Sequence, residues 1–358
     1  MFNRLNKTSV NQKKLKEIKM RKMATIRKID SIRDIPGADS IECCTLGGWN
    51  VVTRKGEYTA GDLAVYCEID SWIPYEVAPF LSKGNFPHVY NEVKGERLRT
   101  VKLRGQLSQG LLLPRSTLTM VESELLEGLD VSFPLGIVKY EAPIPASLAG
   151  EVKGMFPSHI PKTDQERIQN LSVELEEWKA EKLTWEVTEK LDGSSMTVYI
   201  IDGEVGVCSR NLDLKPNKDN SLWATAYKNE IDVKLIQSCC NLAIQGELVG
   251  NGIQGNIYKM RDQEFYVYDI YDIDAGRYFT PAERVAYCKV WDIKHVPVFK
   301  SDFMLTTETA ADLLQMAEGK SVMGDIAGPE REGVVYKCNE KQVSFKAISN
   351  KFLLKSGG

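Results

Sequence analysis

The sequence predicts an α+β protein in which an N-terminal OB-like β-barrel precedes a larger domain built on antiparallel sheet. The barrel is predicted from short strand-like runs, separated by turn residues, over positions 24–113. The second domain is predicted from residues 163–358, where strand-like runs alternate with segments of helical periodicity. A chain of 358 residues suits two domains.

Six short runs form the predicted barrel strands: Thr25–Ile29, Ile41–Thr45, Trp49–Thr53, Leu63–Cys67, Arg97–Leu103 and Gly110–Leu113. Turn pairs such as Pro36-Gly37 and Gly47-Gly48 separate them. Strands at this spacing favour a small barrel, and the five-stranded OB fold is a common solution. Arg97 and Arg99 alternate along one predicted strand, so we expect either a basic rim for a phosphate backbone or a solvated strand face.

Charge and proline content set the predicted boundaries. The first 28 residues carry ten Lys or Arg and one Glu. Residues 1–22 are therefore expected to form a solvated basic extension, with a nucleic-acid arm or an import signal as alternatives. The barrel domain is placed at 23–140, a proline-rich linker at 141–162 and the second domain at 163–358. A net charge of −3 argues against bulk coating of nucleic acid and leaves local basic patches open.

Capping residues and periodicity give the elements of the second domain. Thr163-Asp164-Gln165-Glu166 matches a capping box and predicts a helix of about five turns, with apolar residues through Trp178. Asp202-Gly203 predicts a hairpin turn. Further strands are expected at Thr184–Glu189, Met196–Ile201, Val205–Ser209, Leu242–Val249, Phe265–Tyr271, Gly333–Lys337 and Gln342–Phe345, and further helices after Thr280 and over Thr307–Glu318.

Other patterns exclude classes of function. The run Gly250–Gly255 matches G-x-G-x-x-G, but strand-like residues follow it where a dinucleotide site needs a helix, so we reject that site. No apolar run is long enough to span a bilayer. The eight cysteines include no Cys-x-x-Cys, so we expect free thiols in a reducing, intracellular compartment. The cytoplasm fits best, and import into an organelle stays open.

The run Glu189-Lys190-Leu191-Asp192-Gly193 places a lysine at the end of a predicted strand, where it can act as a nucleophile toward a nucleotide phosphate. Lys-x-Asp-Gly alone arises by chance in roughly one chain in ten of this length. The lysine needs a lowered pKa, carboxylates for a metal, cations for phosphate charge and an aromatic face for a base. Residues of these types follow at strand ends: Arg210, Glu247, Tyr268, Glu332 and Lys346. Each alone could be a salt-bridged, core or surface residue.

Taken in order, these motifs resemble the series of the covalent nucleotidyltransferases, whose catalytic domain is an ATP-grasp-like ligase domain. That superfamily includes ATP-dependent DNA and RNA ligases, NAD-dependent DNA ligases and mRNA capping enzymes. The chain most resembles the RNA ligases that carry an OB domain before the nucleotidyltransferase domain. The segments Lys162–Arg167 and Phe345–Lys351 carry this resemblance, together with the domain order. Only residues 347–358 follow Lys346, and we expect no second OB domain there.

The resemblance implies an ATP-dependent RNA ligase that works in three displacements at phosphorus. Lys190 would attack the α-phosphorus of ATP and hold AMP, AMP would pass to an RNA 5′-phosphate, and a 3′-OH would then expel AMP. The implied cofactors are ATP and Mg²⁺ or Mn²⁺, and the implied partner is RNA with 3′-OH and 5′-phosphate ends, as in a nicked duplex, bound by a monomer. A capping-type guanylyltransferase, a DNA ligase and a non-catalytic OB-fold nucleic-acid-binding protein remain alternatives.

The resemblance also implies roles for individual residues. Asp192, Glu247 and Glu332 would hold a hydrated metal, although Glu247 could instead contact the ribose. Nucleotide contacts are implied for Arg167, Glu189, Arg210, Glu247, Tyr268 and Lys346. The last motif of related ligases often has two lysines spaced Lys-x-Lys, whereas here Ser344 and Ile348 flank Lys346 at that spacing.

Overall fold

The computed structural model describes residues 21–118, 125–142, 150–323 and 328–356. The predicted basic extension therefore lies outside the described residues except for its last two positions. Pro143 and Pro145 of the predicted linker also lie outside them.

The N-terminal part consists of small antiparallel sheets around two apolar clusters. Its strands are β1 Ala24–Lys28, β2 Ser31–Asp34, β3 Ile41–Leu46, β4 Trp49–Arg54, β5 Leu63–Cys67, β6 Ser71–Pro74, β7 His88–Tyr90, β8 Val93–Arg97, β9 Val101–Leu103, β10 Gln106–Ser108, β11 Leu111–Leu113 and β12 Val138–Lys139. β5 lies between β1 and β11, β3 between β2 and β4, and a further sheet has the order β12-β6-β8-β7. Inward-facing residues such as Ile26, Val65 and Trp49 are fully buried, as alternation along a strand requires.

One predicted strand of this part was wrong. The run Arg97–Leu103 is two strands: β8 ends at Arg97 and β9 begins at Val101, with Leu98 and Thr100 buried between them. The chain changes sheets here, because β8 pairs with β6 and β7 whereas β9 pairs only with β10. The sequence interval lacks glycine and proline, so no local signal marked the break.

The C-terminal part consists of two sheets and the helices that cover them. Its strands are β13 Val152–Met155, β14 Glu166–Arg167, β15 Thr184–Lys190, β16 Ser194–Ile201, β17 Glu204–Cys208, β18 Leu212–Leu214, β19 Leu242–Val249, β20 Glu264–Asp272, β21 Arg277–Tyr278, β22 Val298–Met304, β23 Gly333–Cys338 and β24 Ser344–Ile348. Its helices are α1 Ser172–Ala180, α2 Ser221–Lys228, α3 Ile231–Ser238, α4 Pro281–Val290, α5 Ala310–Met316 and α6 Asn350–Ser356. The strand orders are β13-β18-β17-β16-β19-β20-β21 and β14-β24-β23-β15-β22.

The helix predicted to start at Thr163 was wrong. Residues 161–165 are irregular, Glu166–Arg167 form β14 parallel to β24, and α1 begins only at Ser172. The side chain of Glu166 accepts a hydrogen bond from Asn170, at 2.9 Å, instead of closing a capping box. The helix predicted after Thr280 is confirmed, and it begins with a capping box in which Thr280 and Glu283 form reciprocal bonds at the start of α4.

The hairpin predicted at Asp202-Gly203 is confirmed. Asp202 and Gly203 both have positive φ in the tight turn between β16 and β17. The Gly250–Gly255 run leads into a single 3-10 turn and then β20, so the helix that a dinucleotide site needs is absent from this described stretch. No helix within the described ranges has the length and apolarity to cross a membrane.

Candidate active site

Lys190 is the last residue of β15 and faces the cleft between the two C-terminal sheets. Its Nζ donates a hydrogen bond to Glu332 Oε2 at 2.7 Å, because β15 pairs with β23 in a register that sets Lys190 opposite Gly333. Burial lowers the pKa of the ammonium, but the nearby carboxylates of Glu332, Glu247 and Asp192 outweigh burial and raise it. Without ligand, the lysine is therefore a charged ion-pair partner.

The turn after Lys190 needs its glycine. A Cβ on Gly193 would lie 2.3 Å from the carbonyl oxygen of Leu248, so any other residue would push β16 away from β19. The backbone N–H of Asp192 donates to the hydroxyl of Tyr258 at 2.7 Å. These two restraints hold the Asp192 carboxylate beside Lys190. They explain why Asp and Gly accompany the lysine in the sequence.

Three carboxylates, those of Asp192, Glu247 and Glu332, surround Lys190, and its single positive charge cannot neutralise all three. Burial and then repulsion from Glu332 raise the pKa of Asp192 to about 6. Burial, with repulsion from Glu332 and Asp192, raises the pKa of Glu247 to about 7 although Lys190 opposes this. An anionic, all-oxygen cluster of this kind suits a hard divalent cation.

The carboxylates do not form a complete metal cage. Among the described residues, no three His, Cys, Asp or Glu side chains converge closely enough to hold an ion by themselves. The donor set nevertheless fits Mg²⁺ or Mn²⁺ that keeps several waters and takes further ligands from a substrate phosphate, which is how Mg²⁺ commonly binds. Asp192, Glu247 and Glu332 are the residues that would hold such an ion.

Lys346 lies on β24, and its Nζ is 3.4 Å from Asp164 Oδ1. Burial lowers the pKa of Lys346 to about 8, with Asp164 opposing this shift and Lys190 adding to it. Asp164 also accepts from Lys139 at 2.5 Å and from Arg210 at 3.4 Å. A single carboxylate therefore draws cations from three parts of the chain to one side of the cleft.

The remaining predicted site residues are divided between the cleft and its surroundings. Tyr268 lies in the cleft, and its Oη is 2.8 Å from Thr163 Oγ1 and 3.3 Å from Ser195 Oγ. The buried carboxylate of Glu189 accepts from the Val322 backbone N–H at 3.1 Å. Arg167 does not line the cavity, and its guanidinium packs 5.4 Å from the centre of the Trp49 ring.

The cavity beside Lys190 measures about 340 Å³ and has most of the predicted residues in its wall: Glu189, Lys190, Asp192, Arg210, Glu247, Tyr268, Glu332 and Lys346. Asp164 and Lys337 also line the cavity, and neither was predicted as a site residue. Lys337 Nζ donates to the Tyr268 carbonyl oxygen at 2.5 Å, and burial lowers its pKa. Lys337 alternates with Gly333 and Val335 in the run after Glu332, and this spacing could have indicated it as a site residue. Asp164 was instead expected to belong to a helix cap.

A lysine, further cations and a cluster of carboxylates in one cleft are the groups that nucleotide transfer requires. An RNA ligase family model matches residues 183–350, and an OB-fold domain model matches residues 23–115. No curated protein sequence matched the chain.

Solved structures of Naegleria gruberi RNA ligase are similar to nearly the whole chain. A mutant of that ligase with AMP and Mn aligns with a TM-score of 0.80, and the ligase with PPi aligns with 0.79. Each is 46% identical in sequence, and each match covers 94% of this chain and 99% of the other. The identity, the coverage and the agreement of fold and site together mean that this chain belongs to the RNA ligase family.

Proposed function

We propose that the protein is an ATP-dependent RNA ligase that joins 3′-OH and 5′-phosphate ends and acts on nicks in duplex RNA. One observation carries the proposal: Lys190, three carboxylates and Lys346 line a single cavity of about 340 Å³. The similar Naegleria gruberi ligase has been solved with ATP and Mn, with AMP and Mn, and with PPi. ATP is the substrate of lysine adenylylation, PPi is its leaving group, and AMP is the nucleotide that the lysine would carry.

Lys190 carries out the first step. Its Nζ must lose a proton and leave the ion pair with Glu332 before it can attack the α-phosphorus of ATP. The N–P bond then forms as the bond to pyrophosphate breaks, in line with the attack. Asp192, Glu247 and Glu332 would hold a divalent cation, which would supply positive charge that lowers the lysine pKa and offsets charge on the phosphate. Lys346, on β24 of the same sheet as Lys190, neutralises that phosphate as well.

The nucleoside is held by residues around Tyr268. Its ring lines the cavity and would stack on adenine, and Arg210 is an exposed cation of the same wall that would contact the ribose or the RNA end. Glu189 borders the base through the backbone of β15, and Glu247 contacts either the metal or the ribose. Arg167 supports the phosphate side by adjoining Lys346 in the sheet.

The two later steps use the same cleft. AMP moves from Lys190 to the RNA 5′-phosphate, and the 3′-OH then attacks that activated phosphate and releases AMP. Positioning dominates both displacements, so a duplex that holds the two ends together is the favoured substrate. One chain supplies every proposed site residue, so a monomer suffices. A reducing intracellular compartment fits the free cysteines.

The test is nucleotide labelling of the protein. Wild-type protein incubated with α-labelled ATP and Mg²⁺ or Mn²⁺ should acquire acid-stable label, and Lys190→Ala should lose all of it because no other residue supplies the nucleophile. Lys218→Ala removes an exposed lysine and is the matched control. The labelled protein should then seal nicked duplex RNA.

The outcomes separate the alternatives. Label from GTP alone would indicate a capping-type guanylyltransferase, and sealing of nicked DNA alone would indicate a DNA ligase. No label from either nucleotide at any metal concentration would leave a non-catalytic nucleic-acid-binding protein as the better explanation.

A further inference from the structure

A stretch of the N-terminal domain carries positive charge that the known chemistry does not use. Residues 97–121 include no Asp or Glu, although the whole chain has a net charge of −3. Within this stretch, Arg99, Lys102 and Arg104 lie on or beside the hairpin of β9 and β10. We call residues 99–108 the basic hairpin.

The basic hairpin projects from the domain. β9 and β10 pair only with each other among the described strands, and all three residues of β9 are exposed. Arg104 and Gly105 form the tip, both with positive φ, as a two-residue hairpin turn requires. A lone two-stranded hairpin is marginally stable in water, so its base must hold it in place.

The base of the hairpin is anchored on both domains. Leu107 is buried, and Ser108 Oγ accepts from the Val52 backbone N–H at 3.0 Å. Gln109 Nε2 lies 3.4 Å from Asn350 Oδ1, and Lys102 Nζ lies 3.5 Å from the Leu354 carbonyl oxygen in α6. Leu107, Ser108 and Gln109 therefore hold the base in place, and Lys102 adds one long contact at 3.5 Å. The exposed guanidinium groups of Arg99 and Arg104 make none of these contacts.

Its outward cations have no anionic partner. Arg97 forms an ion pair with Asp70, but neither Arg99 nor Arg104 has an ion-pair partner among the described residues. Val101 and Leu103 alternate with Lys102 and remain 44% and 41% exposed. Unpaired guanidinium groups beside apolar atoms suit a polyanion that also has apolar surface, as the sugar–phosphate backbone of a nucleic acid has.

The position of the hairpin relative to Lys346 selects the partner. Asn350, at the hairpin base, is four residues from Lys346, a separation of at most about 14 Å along the chain. A duplex whose break lies in the cleft would therefore pass within reach of the hairpin. This placement favours the substrate itself over an unrelated acidic protein.

We propose that the basic hairpin binds the phosphate backbone of the RNA duplex that flanks the break. The proposal rests on the function proposed above, and it assigns the hairpin to substrate binding and not to lysine adenylylation. Three phosphate contacts would contribute about 2 to 3 to the slope of log affinity against log salt. Removing them should weaken binding of nicked RNA about 10- to 100-fold at low salt.

The experiment combines Arg99→Gln, Lys102→Gln and Arg104→Asn in one protein. Asparagine is chosen at the tip because it tolerates positive φ. The control protein carries Lys28→Gln, Lys218→Gln and Lys289→Gln, which remove the same charge from exposed sites elsewhere. Binding of nicked duplex RNA is measured over a range of salt concentrations, alongside lysine adenylylation and the melting temperature. Arg99→Lys with Arg104→Lys keeps the charge and should restore most of the binding.

The expected result is a lower salt slope and weaker binding in the hairpin variant, with adenylylation and melting temperature unchanged. A salt slope equal to that of the control would overturn the proposal. If the triple variant melts early, Arg99→Gln alone is tested in the same way, and an unchanged slope there has the same meaning. Absence of lysine adenylylation in the wild-type protein would instead contradict the proposed function.

A second arm uses the substrate. The duplex is shortened first on one side of the nick and then on the other. Only one of these truncations should reduce the affinity of the wild-type protein to that of the hairpin variant. Equal sensitivity of wild type and variant to both truncations would contradict the placement of the hairpin. Single-stranded RNA of the same length should show a smaller difference between the two proteins, since it presents no fixed backbone path.

Discussion

Asp164 is the residue at which the charges of the cleft are coupled. Burial raises the pKa of its carboxyl, but Lys346, Lys139 and Arg210 outweigh burial and hold that pKa well below the usual range. A carboxylate in this position resembles a phosphate group in charge and in its partners. ATP phosphates near Lys346 would therefore compete with Asp164 for the same cations.

Asp164→Asn should lower the free energy of unfolding by about 1 kcal/mol, a value reduced by solvent screening because the residue is partly exposed. ATP should stabilise this variant more than the parent, because phosphate replaces the missing charge. Thermal melting with and without ATP measures this, in a Lys190→Ala background so that no adenylylation occurs. Asp262→Asn, at an exposed pair, is the control; equal ATP shifts in all proteins would contradict the coupling.

The same substitution has a defined pH dependence. A carboxyl whose pKa is depressed on folding contributes stability above its unfolded pKa of about 3.9, and that contribution is lost as pH falls toward the folded value. The stability difference between parent and Asp164→Asn should therefore be constant from pH 7 to about 5 and shrink below about 4. Chemical unfolding at several pH values measures it.

At the scale of elements, the buried ion pair of Arg284 and Glu186 joins helix α4 to β15, the strand that ends in Lys190. Arg284 Nη2 contacts both carboxylate oxygens of Glu186 at 2.7 Å, and Nη1 donates to the Tyr268 carbonyl oxygen at 3.2 Å. The two side chains are only 2% and 3% exposed. Loss of either partner leaves a buried charge without compensation.

Arg284→Met should destabilise the protein by about 3–5 kcal/mol. Combining it with Glu186→Leu should recover much of the loss, because neither charge then remains buried. The control is Arg277→Met, which breaks the exposed pair with Glu283 and should cost far less, because solvent screens that pair. Chemical denaturation measures all four proteins, and similar losses for Arg284→Met and Arg277→Met would refute the argument.

Elements were predictable where local signals and tertiary contacts agree. Two Thr-x-x-Glu runs matched a capping box, and only the one at Thr280 starts a helix, where Pro281 at the first position adds to the signal. At Thr163 the pairing of β14 with β24 and the bond from Asn170 to Glu166 prevail over the local pattern. A pattern taken from a few neighbouring residues carries no information about a partner strand that lies almost 180 residues away.

The candidate site residues were likewise predictable only where a local signal marks them. Lys190, Asp192 and Glu332 were predictable because their neighbouring glycines are required by close backbone approach: a Cβ on Gly333 would lie 2.2 Å from the Ala347 carbonyl oxygen. Asp164 was not predictable as a site residue, because its partners are 25, 46 and 182 residues away in the sequence and no local motif marks it.

At the scale of the whole molecule, the amide of Asn170 joins the two domains. Its Oδ1 accepts from Trp49 Nε1 at 3.1 Å and from Arg27 Nη2 at 3.2 Å. Its Nδ2 donates to Glu68 Oε2 at 3.0 Å and to Glu166 Oε1 at 2.9 Å. Glu166 begins β14, which adjoins the strand of Lys346, so the barrel is fixed to the element that borders the Lys346 side of the cleft.

Asn170→Ala should lower the free energy of unfolding by about 2–3 kcal/mol, because Glu68 loses a donor while its side chain stays 2% exposed. It should also slow lysine adenylylation several-fold, since β14 loses its tie to the barrel. Asn170→Asp should be worse than alanine although it is closer in shape, because a third carboxylate would face Glu68 and Glu166. Calorimetry and single-turnover labelling measure both effects, with Asn241→Ala as the control, at a half-buried amide that bridges Asp202 and Asp274 far from the joint. An aspartate variant as stable as the parent would mean that the joint does not depend on the donors of Asn170, and that the barrel is held by its apolar contacts alone.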